Sequence, residues 1–596
     1  NDKIGNLNKG SYANFLITSG DIFDKSTTLY ENWVQGNKNV VNDITIKDLS
    51  GEYTLAVNGN TYKMSISGKG TKQKATIKKD GKKVNSKFSF KDNWMSITLR
   101  EGDAFTRLSG MVDAKNIKGK AVTNTGGETN WTATFTSKKE EKKKKKKKEE
   151  NVNVVAVSYP NIGYGNYTKT QKETILIKNT TVWTSENKEI LTNTDVLIKD
   201  GKISQIGKNI SARGAKVVNG EGKYLTAGII DEHSHIATSA VNESGHNSTA
   251  EVTIEDVVDP DDVNIYRNIA GGVTSIQILH GSANPIGGRS AIIKLKWGEN
   301  ADGLIYKNSP KFIKFALGEN VKQANWGDLQ TVRFPQTRMG VEQVYIDYFQ
   351  RAKEYDAKKK SGQPYRKDIE LETLAEIINK ERFISCHSYV QSEINMLMKV
   401  AEKFGFNINT FTHILEGYKV ADKMKEHGVG GSTFADWWAY KYEVNDAIPY
   451  NAAIMHNQGI TVAINSDDAE MSRRLNQEAA KLIKYGGLSE QEAWETVTIN
   501  PAKLLHLNDR TGSIKVGKDA DVVLWSGNPL SVYSKAEKTI IDGAVYFDIE
   551  EDKKKRATIK AERAKLINMM LQEKLKGAKT QAPVKKSKKL FHCDTE

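Results

Sequence analysis

The sequence predicts an α/β protein: a (β/α)8, TIM-like barrel with a flanking composite β-sandwich, plus an N-terminal antiparallel all-β domain. Three observations predict it. Over roughly 250 residues from 224 onward, apolar strand-like runs alternate with helical segments, as in a barrel with helical crossovers. Several of those runs finish in a histidine or an aspartate, at the strand ends where such barrels collect their chemistry. Between residues 50 and 136, by contrast, apolar and polar residues alternate with period two between N-G and D-G turns.

At 596 residues the chain has length for several domains. Its formal charge of +15 is concentrated: the run KKEEKKKKKKKEE at 138–150 carries +5 and residues 551–590 carry +10. The remainder sums to zero, so a solvated linker and a basic tail fit better than a nucleic-acid groove, and no nucleic-acid partner is expected. Only two cysteines, Cys386 and Cys593, are present, which excludes a disulfide framework. They leave cytosol and periplasm open, with the periplasm or cell envelope favoured over the cytoplasm. No run approaches the ~20 apolar residues of a membrane span.

At the N-terminus, DKIGNLNKGSYANFLITSGDIFDKSTTLYENWVQG (2–36) aligns without a gap on DRTGSIKVGKDADVVLWSGNPLSVYSKAEKTIIDG (509–543), at a constant offset of 507. Asp2, Gly5, Gly10, Ala13, Ser19, Gly20 and Gly36 find identities, and Phe15, Leu16 and Ile17 face Val522, Val523 and Leu524. Glycines recurring at turns between apolar runs predict the same small β unit twice. The second copy follows a long α/β stretch and the first follows nothing, so the chain reads as the C-terminal part of a two-module protein. Next, GEYTLAV, TYKMSISG, KATIKKDGKK, FSFKDNWMSITL and TNWTATF predict an antiparallel barrel or sandwich over 48–137. Tyr62, Trp94 and Trp131 are expected to fill its core rather than line a ligand surface. Residues 138–171 read as a charged linker.

After residue 172, ETILIKNTTVWT and DVLIKDGKISQIG are short strands with a K-D-G turn. Candidate barrel strands follow at 224–230, 273–279, 291–296, 311–317, 383–387, 408–413, 428–433 and 460–466, with helices at 340–357, 370–380, 391–404 and 475–485. The stretch TAGIIDEHSHIA (226–237) holds two of the ten histidines. Residues i and i+2 of a strand point the same way, so His233 and His235 emerge together as half of a metal site. FISCHSY puts His387 at the end of the fifth run, FNINTFTH puts His413 at the end of the sixth, and ITVAINSDD puts Asp467 at the end of the eighth. One such histidine alone reads as a buried core residue. Five ligand-type residues at strand ends predict a metal centre.

TAGIIDEHSH, GGVTSIQI, INSDD and TINPAKLLHLNDRTGSIKVGKDADVVLWSGNP together resemble the amidohydrolase superfamily, in its imidazolonepropionase-like and prolidase-like branch, over residues 172–549. The resemblance implies a small β-sandwich from 172–225 plus 509–549 and a metal-dependent barrel over 226–508. It also implies that 1–37 is the closing β segment of a preceding amidohydrolase module, and leaves 550–596 as a basic helix and tail. It further implies a divalent metal, commonly zinc, on His233, His235 and Asp467. His387 and His413 would hold a second metal, or one of them would touch substrate. Lys314 in KFIKFALGEN matches the carboxylated lysine that bridges two metals, but the following FALGEN departs from the expected small-residue pattern. Glu319 therefore stays open as the bridging carboxylate. Asp468 is a neighbour of the ligand position, which falls on the residue after Ser466.

The implied chemistry is attack of a metal-activated hydroxide on an amide, peptide or cyclic amide C–N bond, with Asp467 and His413 as catalytic candidates and Asp467 passing the proton. The expected substrate is a small molecule or short peptide: a dipeptide or N-acyl amino acid with a free carboxylate first, a cyclic amide second. LHGSANPIGGRS supplies His280 and Asn284 as candidate substrate-binding residues. Arg338 in FPQTRMG suits a carboxylate, or else is structural. Tyr389, Phe434 and Trp437 either wall the pocket or pack the loops. The competing reading is a catalytically weak barrel in a cell-envelope binding protein whose β domain takes the ligand. Residues 552–577 read as a basic surface or oligomer-contact helix with too narrow an apolar face for a membrane anchor, leaving a homo-oligomer open. FHCDTE, with His592 and Cys593, reads as a docked tail.

Overall fold

The computed structural model describes residues 3–138, 156–322, 333–582 and 584, apart from 26, 69, 115 and 439. The charged run beyond Lys138 and the final FHCDTE lie outside the described residues. The chain divides into two compact units, 1–153 and 154–596.

The first unit opens with a three-stranded antiparallel sheet, Phe15–Thr18, Leu29–Val34 and Asn37–Val40. At the offset of 507, these strands start where Val522–Trp525, Ala536–Ile541 and Ala544–Asp548 start. Their first pairing has the same register, Phe15 opposite Trp33 as Val522 is opposite Ile540, with a bulge before Thr18 and before Trp525 alike. The repeated glycines explain the shared path: Gly10 and Gly517 both turn at φ 94°, where a side chain would be strained.

Nine further strands between Gly51 and Ser137 form one antiparallel sheet. They run in up-and-down order, and the strands Lys74–Lys79 and Asn85–Lys91 near its two ends lie side by side, closing it into a barrel. Period-two alternation sends Tyr53, Leu55 and Val57 of one strand inward, and Tyr62 and Trp131 join them in a filled core. The Trp131 ring N–H donates to the Ser109 carbonyl at 3.2 Å, which removes the cost of burying a polar atom. Trp94 differs from the expectation: it sits on the outward register of its strand and is half exposed.

In the second unit, Ile175–Trp183, Ile190–Lys199, Lys202–Gly207, Lys216–Asn219 and Tyr224–Ala227 join Val522–Trp525, Ala536–Ile541 and Ala544–Asp548 in one eight-stranded sheet. The junction is the antiparallel pair Tyr224–Ala227 with Val522–Trp525. The sheet folds around its own core of Ile177, Val196, Leu225, Val522 and Ile540, which makes the composite β-sandwich beside the barrel. The expected strand 224–230 is split at Gly228, where the chain leaves this sheet for the barrel. A Cβ at Gly228 would lie 2.2 Å from the Thr274 side chain, so only glycine lets the two strands approach.

Seven barrel strands run parallel: Ile229–Ser234, Val273–Ile278, Lys311–Ala316, Arg382–His387, Thr410–Thr412, Gly430–Thr433 and Val462–Ile464. The third barrel position departs from the expected βα pattern. Ile286–Arg289 and Ala291–Lys294 form a broken strand whose first half pairs antiparallel with Lys311–Ala316 and whose second half pairs antiparallel with Val273–Ile278. The physical reason is the connection: only residues 279–285 separate Ile278 from Ile286, too few for the dozen or so of a crossover to a parallel strand. Helices Arg338–Lys360, Ile369–Ile378, Gln391–Phe404 and Leu475–Gly486 cover the outside.

Part of the expected linker is not a linker. Residues 156–171 pack on the barrel, where the Tyr164 carbonyl accepts from the Trp297 ring at 3.1 Å and from Lys555 Nζ at 3.0 Å. The basic helix runs over Ile549–Leu575; Asp552 anchors it by accepting from Tyr266 Oη at 3.1 Å, and beyond Arg556 its side chains are largely exposed. No described helix is long and apolar enough to cross a membrane.

Candidate metal centre

Five of the predicted ligand residues meet at the carboxyl ends of the barrel strands, and all are buried. His233 and His235 leave the first strand on one side, with Nε2 atoms 3.2 Å apart. Asp467 Oδ1 lies 3.4 Å from His233 Nε2 and 3.0 Å from His235 Nε2, and its Oδ2 lies 3.3 Å from His413 Nε2. The His387 ring stands edge-on to His413, centroids 5.2 Å apart. Lys314 reaches inward from the fourth strand to place Nζ 3.1 Å from His233 Nε2.

The outer nitrogens of the paired histidines define what the inner ones can do. The Leu279 carbonyl, 2.9 Å from His235 Nδ1, can only accept, so the proton sits on Nδ1 and Nε2 presents a lone pair. The Thr412 hydroxyl donates to Glu232 Oε1 at 3.3 Å and so accepts from His233 Nδ1 at 2.7 Å, giving His233 the same tautomer. Burial drives both imidazoles below their ordinary range, His233 well below it, and the Lys314 charge adds to the shift. Both rings are therefore neutral near pH 7. His235 Nε2 and Asp467 Oδ1 are then two acceptors face to face, and a cation between them satisfies both. His233, His235 and Asp467 thus fit a divalent metal in donor type, tautomer and position.

The backbone is shaped for this. His413 and Asp467 both adopt left-handed conformations, φ 59° and 47°, costing on the order of 1–3 kcal/mol each. The Asp467 N–H donates to the His233 carbonyl at 3.1 Å, and the preceding Ser466 N–H donates to Asp231 at 3.1 Å. Burial pushes the Asp231 carboxyl up to about 7 despite the two Ser466 bonds, and burial does the same to Glu232.

Other predicted residues have different employment. Asn284 Nδ2 donates to the carbonyls of Glu243 and His246 at 2.9 and 3.1 Å and to Thr249 at 2.9 Å, tying loops together rather than facing a substrate. His280 donates from Nδ1 to the Gly281 carbonyl and accepts the Glu243 N–H at Nε2, each at 2.8 Å, and burial lowers it to about 4. Arg338 is not an open carboxylate receptor: its guanidinium meets Glu393 at 3.0 Å and Glu319 and Glu443 at 3.2 Å. Glu319 is thereby held by Arg338 and by Lys322, and does not stand with the histidines as a bridge. Asp468 accepts from the Glu470 and Met471 N–H groups at 2.8 and 2.7 Å and caps its own turn. Tyr389, Phe434 and Trp437 line one side: Phe434 stacks on His413 at 4.7 Å and on Trp437 at 4.7 Å. Sequence reasoning missed Thr412, Glu232, Tyr440 (2.8 Å from the Tyr389 hydroxyl) and Lys441 (over the Tyr389 ring at 4.3 Å). Glu232 and Thr412 stand beside predicted ligands in DEHSH and TFTH, the one available signal.

Known proteins share this architecture. The amidohydrolase family model matches residues 449–561, from the helix before the eighth strand into the C-terminal helix. A solved amidohydrolase from Thermotoga maritima MSB8 is 33% identical with a TM-score of 0.59, covering 63% of this chain and all of that one. The amidohydrolase tasK of Hapsidospora irregularis is 30% identical over 395 residues, 59% of this chain and 40% of tasK. The chain thus spans less than half the length of that relative. The imidazolonepropionase of Thermoplasma volcanium is 22% identical over 361 residues, 56% of this chain and 84% of that protein. The chain belongs to the amidohydrolase family, hydrolases of carbon–nitrogen bonds.

Proposed function

We propose that the chain is a metal-dependent amidohydrolase that cleaves an amide C–N bond at the mouth of the barrel. The observation that carries this reading is the convergence of His233 Nε2, His235 Nε2 and Asp467 Oδ1 on one buried point. A divalent cation there, zinc in our reading, supplies Lewis acidity and makes a water acidic near neutral pH.

The remaining steps belong to the chain. Asp467, with one oxygen toward the histidine pair and the other toward His413, takes the proton of the attacking water and hands it to the leaving nitrogen. His413 polarises the scissile carbonyl, held in place by its stack on Phe434. That role belongs to a site with one cation; with Lys314 carboxylated, Lys314, His387 and His413 would instead hold a second one. Phe434 and Trp437 exclude water from one side and take an apolar group of the substrate. Because Arg338 is compensated by three glutamates, a free carboxylate is not demanded by that residue. The substrate class is a dipeptide or N-acyl amino acid with an apolar or aromatic side chain, with a cyclic amide second.

The test is hydrolysis of matched dipeptides, N-acyl amino acids and cyclic amides by the purified chain, before and after chelation and zinc return, alongside Asp467→Asn. Turnover that chelation abolishes, zinc restores and Asp467→Asn lacks supports the reading. Bound metal without turnover of any class sinks it.

A further inference from the structure

The three-stranded unit at 15–40 and the closing unit at 522–548 share one fold in two surroundings, the closing unit adding a bulge before Ile540 that the N-terminal unit lacks. Beyond the shared register, their turns carry equivalent bonds. The Gln35 N–H donates to Asn14 Oδ1 at 2.6 Å, as the Asp542 N–H donates to Asp521 Oδ1 at 2.8 Å. The Gly36 N–H donates to the Ala13 carbonyl at 3.1 Å, as Gly543 does to Ala520 at 3.2 Å.

Their apolar faces differ. In the closing unit, Val523, Trp525, Ile541 and Phe547 belong to the core of the barrel module, and Tyr224–Ala227 occupies the edge of Val522–Trp525. In the N-terminal unit, the strand Phe15–Thr18 has one partner among the described residues, Leu29–Val34, and its other edge is open. Phe23 is 92% exposed where Leu530 is 7% exposed, Leu16 is 49% exposed where Val523 is fully buried, and Val34 is 47% exposed where Ile541 is fully buried. On the opposite face, Leu7 and Ile17 are exposed where Ile514 and Leu524 fill the sheet's own core. A run of large apolar side chains at the positions that contact a barrel marks a binding face.

We propose that residues 3–41 close a second (β/α)8 module of related fold and different sequence. A strand equivalent to Tyr224–Ala227 adds to the open edge of Phe15–Thr18, and the outer surface of that barrel covers Leu16, Phe23 and Val34. In the second copy the closing unit follows its barrel in chain order, so the occupant lies ahead of Leu7 in the same polypeptide.

Charge separates this occupant from a second copy of the present barrel. Lys294, on the third barrel strand, is buried among Asp519 at 2.8 Å, Asp521 at 2.9 Å and Asp542 at 2.5 Å. The equivalent positions in the N-terminal unit are Tyr12, Asn14 and Gln35, all uncharged. Seating this chain's own barrel there would bury Lys294 against no carboxylate, which is strongly disfavoured. The occupant therefore carries an uncharged residue where this barrel has Lys294.

The experiment places the photo-cross-linker p-benzoylphenylalanine at position 23, and separately at 34, in the protein made from its native gene, and sequences the cross-linked peptides. The expected product is an intramolecular cross-link from each position to a barrel segment ahead of Leu7, in a module with an uncharged residue at the Lys294 position. Cross-links to residues 224–304 of a second copy overturn the proposal in favour of self-association. Cross-links to an unrelated protein, or no peptide cross-link from either position, overturn it as well.

Discussion

Nε2 of His235 and Oδ1 of Asp467 face each other at 3.0 Å, and the Leu279 carbonyl on the far side of the ring leaves that nitrogen no proton to share. The pair is poised for a cation, and its supports are as testable as the pair itself.

Thr412→Val removes the hydroxyl that fixes the His233 tautomer while keeping the side chain's shape. Metal affinity is expected to fall about 10–100-fold, as for other outer-shell partners of histidine ligands. Competition with a graded chelator measures it, with unchanged circular dichroism as the control for folding.

Ser466→Ala deletes the hydroxyl donor to Asp231, a fully buried carboxyl. The expected cost is about 1–3 kcal/mol in denaturant unfolding of the second unit, since the partner left behind is desolvated. An unchanged midpoint would show that the Ser466 N–H alone suffices to hold Asp231.

Lys294→Met leaves Asp521 fully buried without its ammonium. Breaking one side of such a cluster is expected to cost about 3–5 kcal/mol. Adding Asp521→Asn should recover part of the loss, and a double-mutant comparison of unfolding midpoints reads the coupling.

Glu443 provides a pH signature away from the histidine cluster. Burial, reinforced by Glu393, raises its carboxyl from an ordinary 4.5 to about 7 despite Lys441 and Arg338. Between those values the folded chain holds a proton that the unfolded chain has lost, so stability from this group falls as pH rises from about 4.5 to about 7. Glu443→Gln should flatten that window and stabilise the protein at pH 8 by on the order of 2–3 kcal/mol. Unfolding midpoints of both proteins at pH 5 and pH 8 decide it.

The buried cluster was legible because barrel geometry puts polar residues at apolar strand ends for a reason that no core requires. His233, His235, His387, His413 and Asp467 each closed such a run. The direction of the third strand was not legible: Ala291–Lys294 is equally apolar whichever way it runs, and only the seven-residue connection before it forces the reversal. Nor were the roles of Asn284 and Arg338. A loop amide or guanidinium has the same letter whether it meets a substrate or its own loops, and here the partners come from segments far away in sequence. Trp94 was misplaced for a simpler cause, since both faces of a strand accept tryptophan and the turn before it sets the phase.

The first and last barrel strands share no ladder in the described structure. What spans them is the Asp467 N–H on the His233 carbonyl and the Ser466–Asp231 contact. His233 and Asp467 thus sit on the weld that turns an open cylinder into a closed one. Stripping a cation held there should be felt as a loosened seam, with faster amide exchange at 462–467 and 229–235 well before any helix melts, so that fold and proposed chemistry would fail at the same joint.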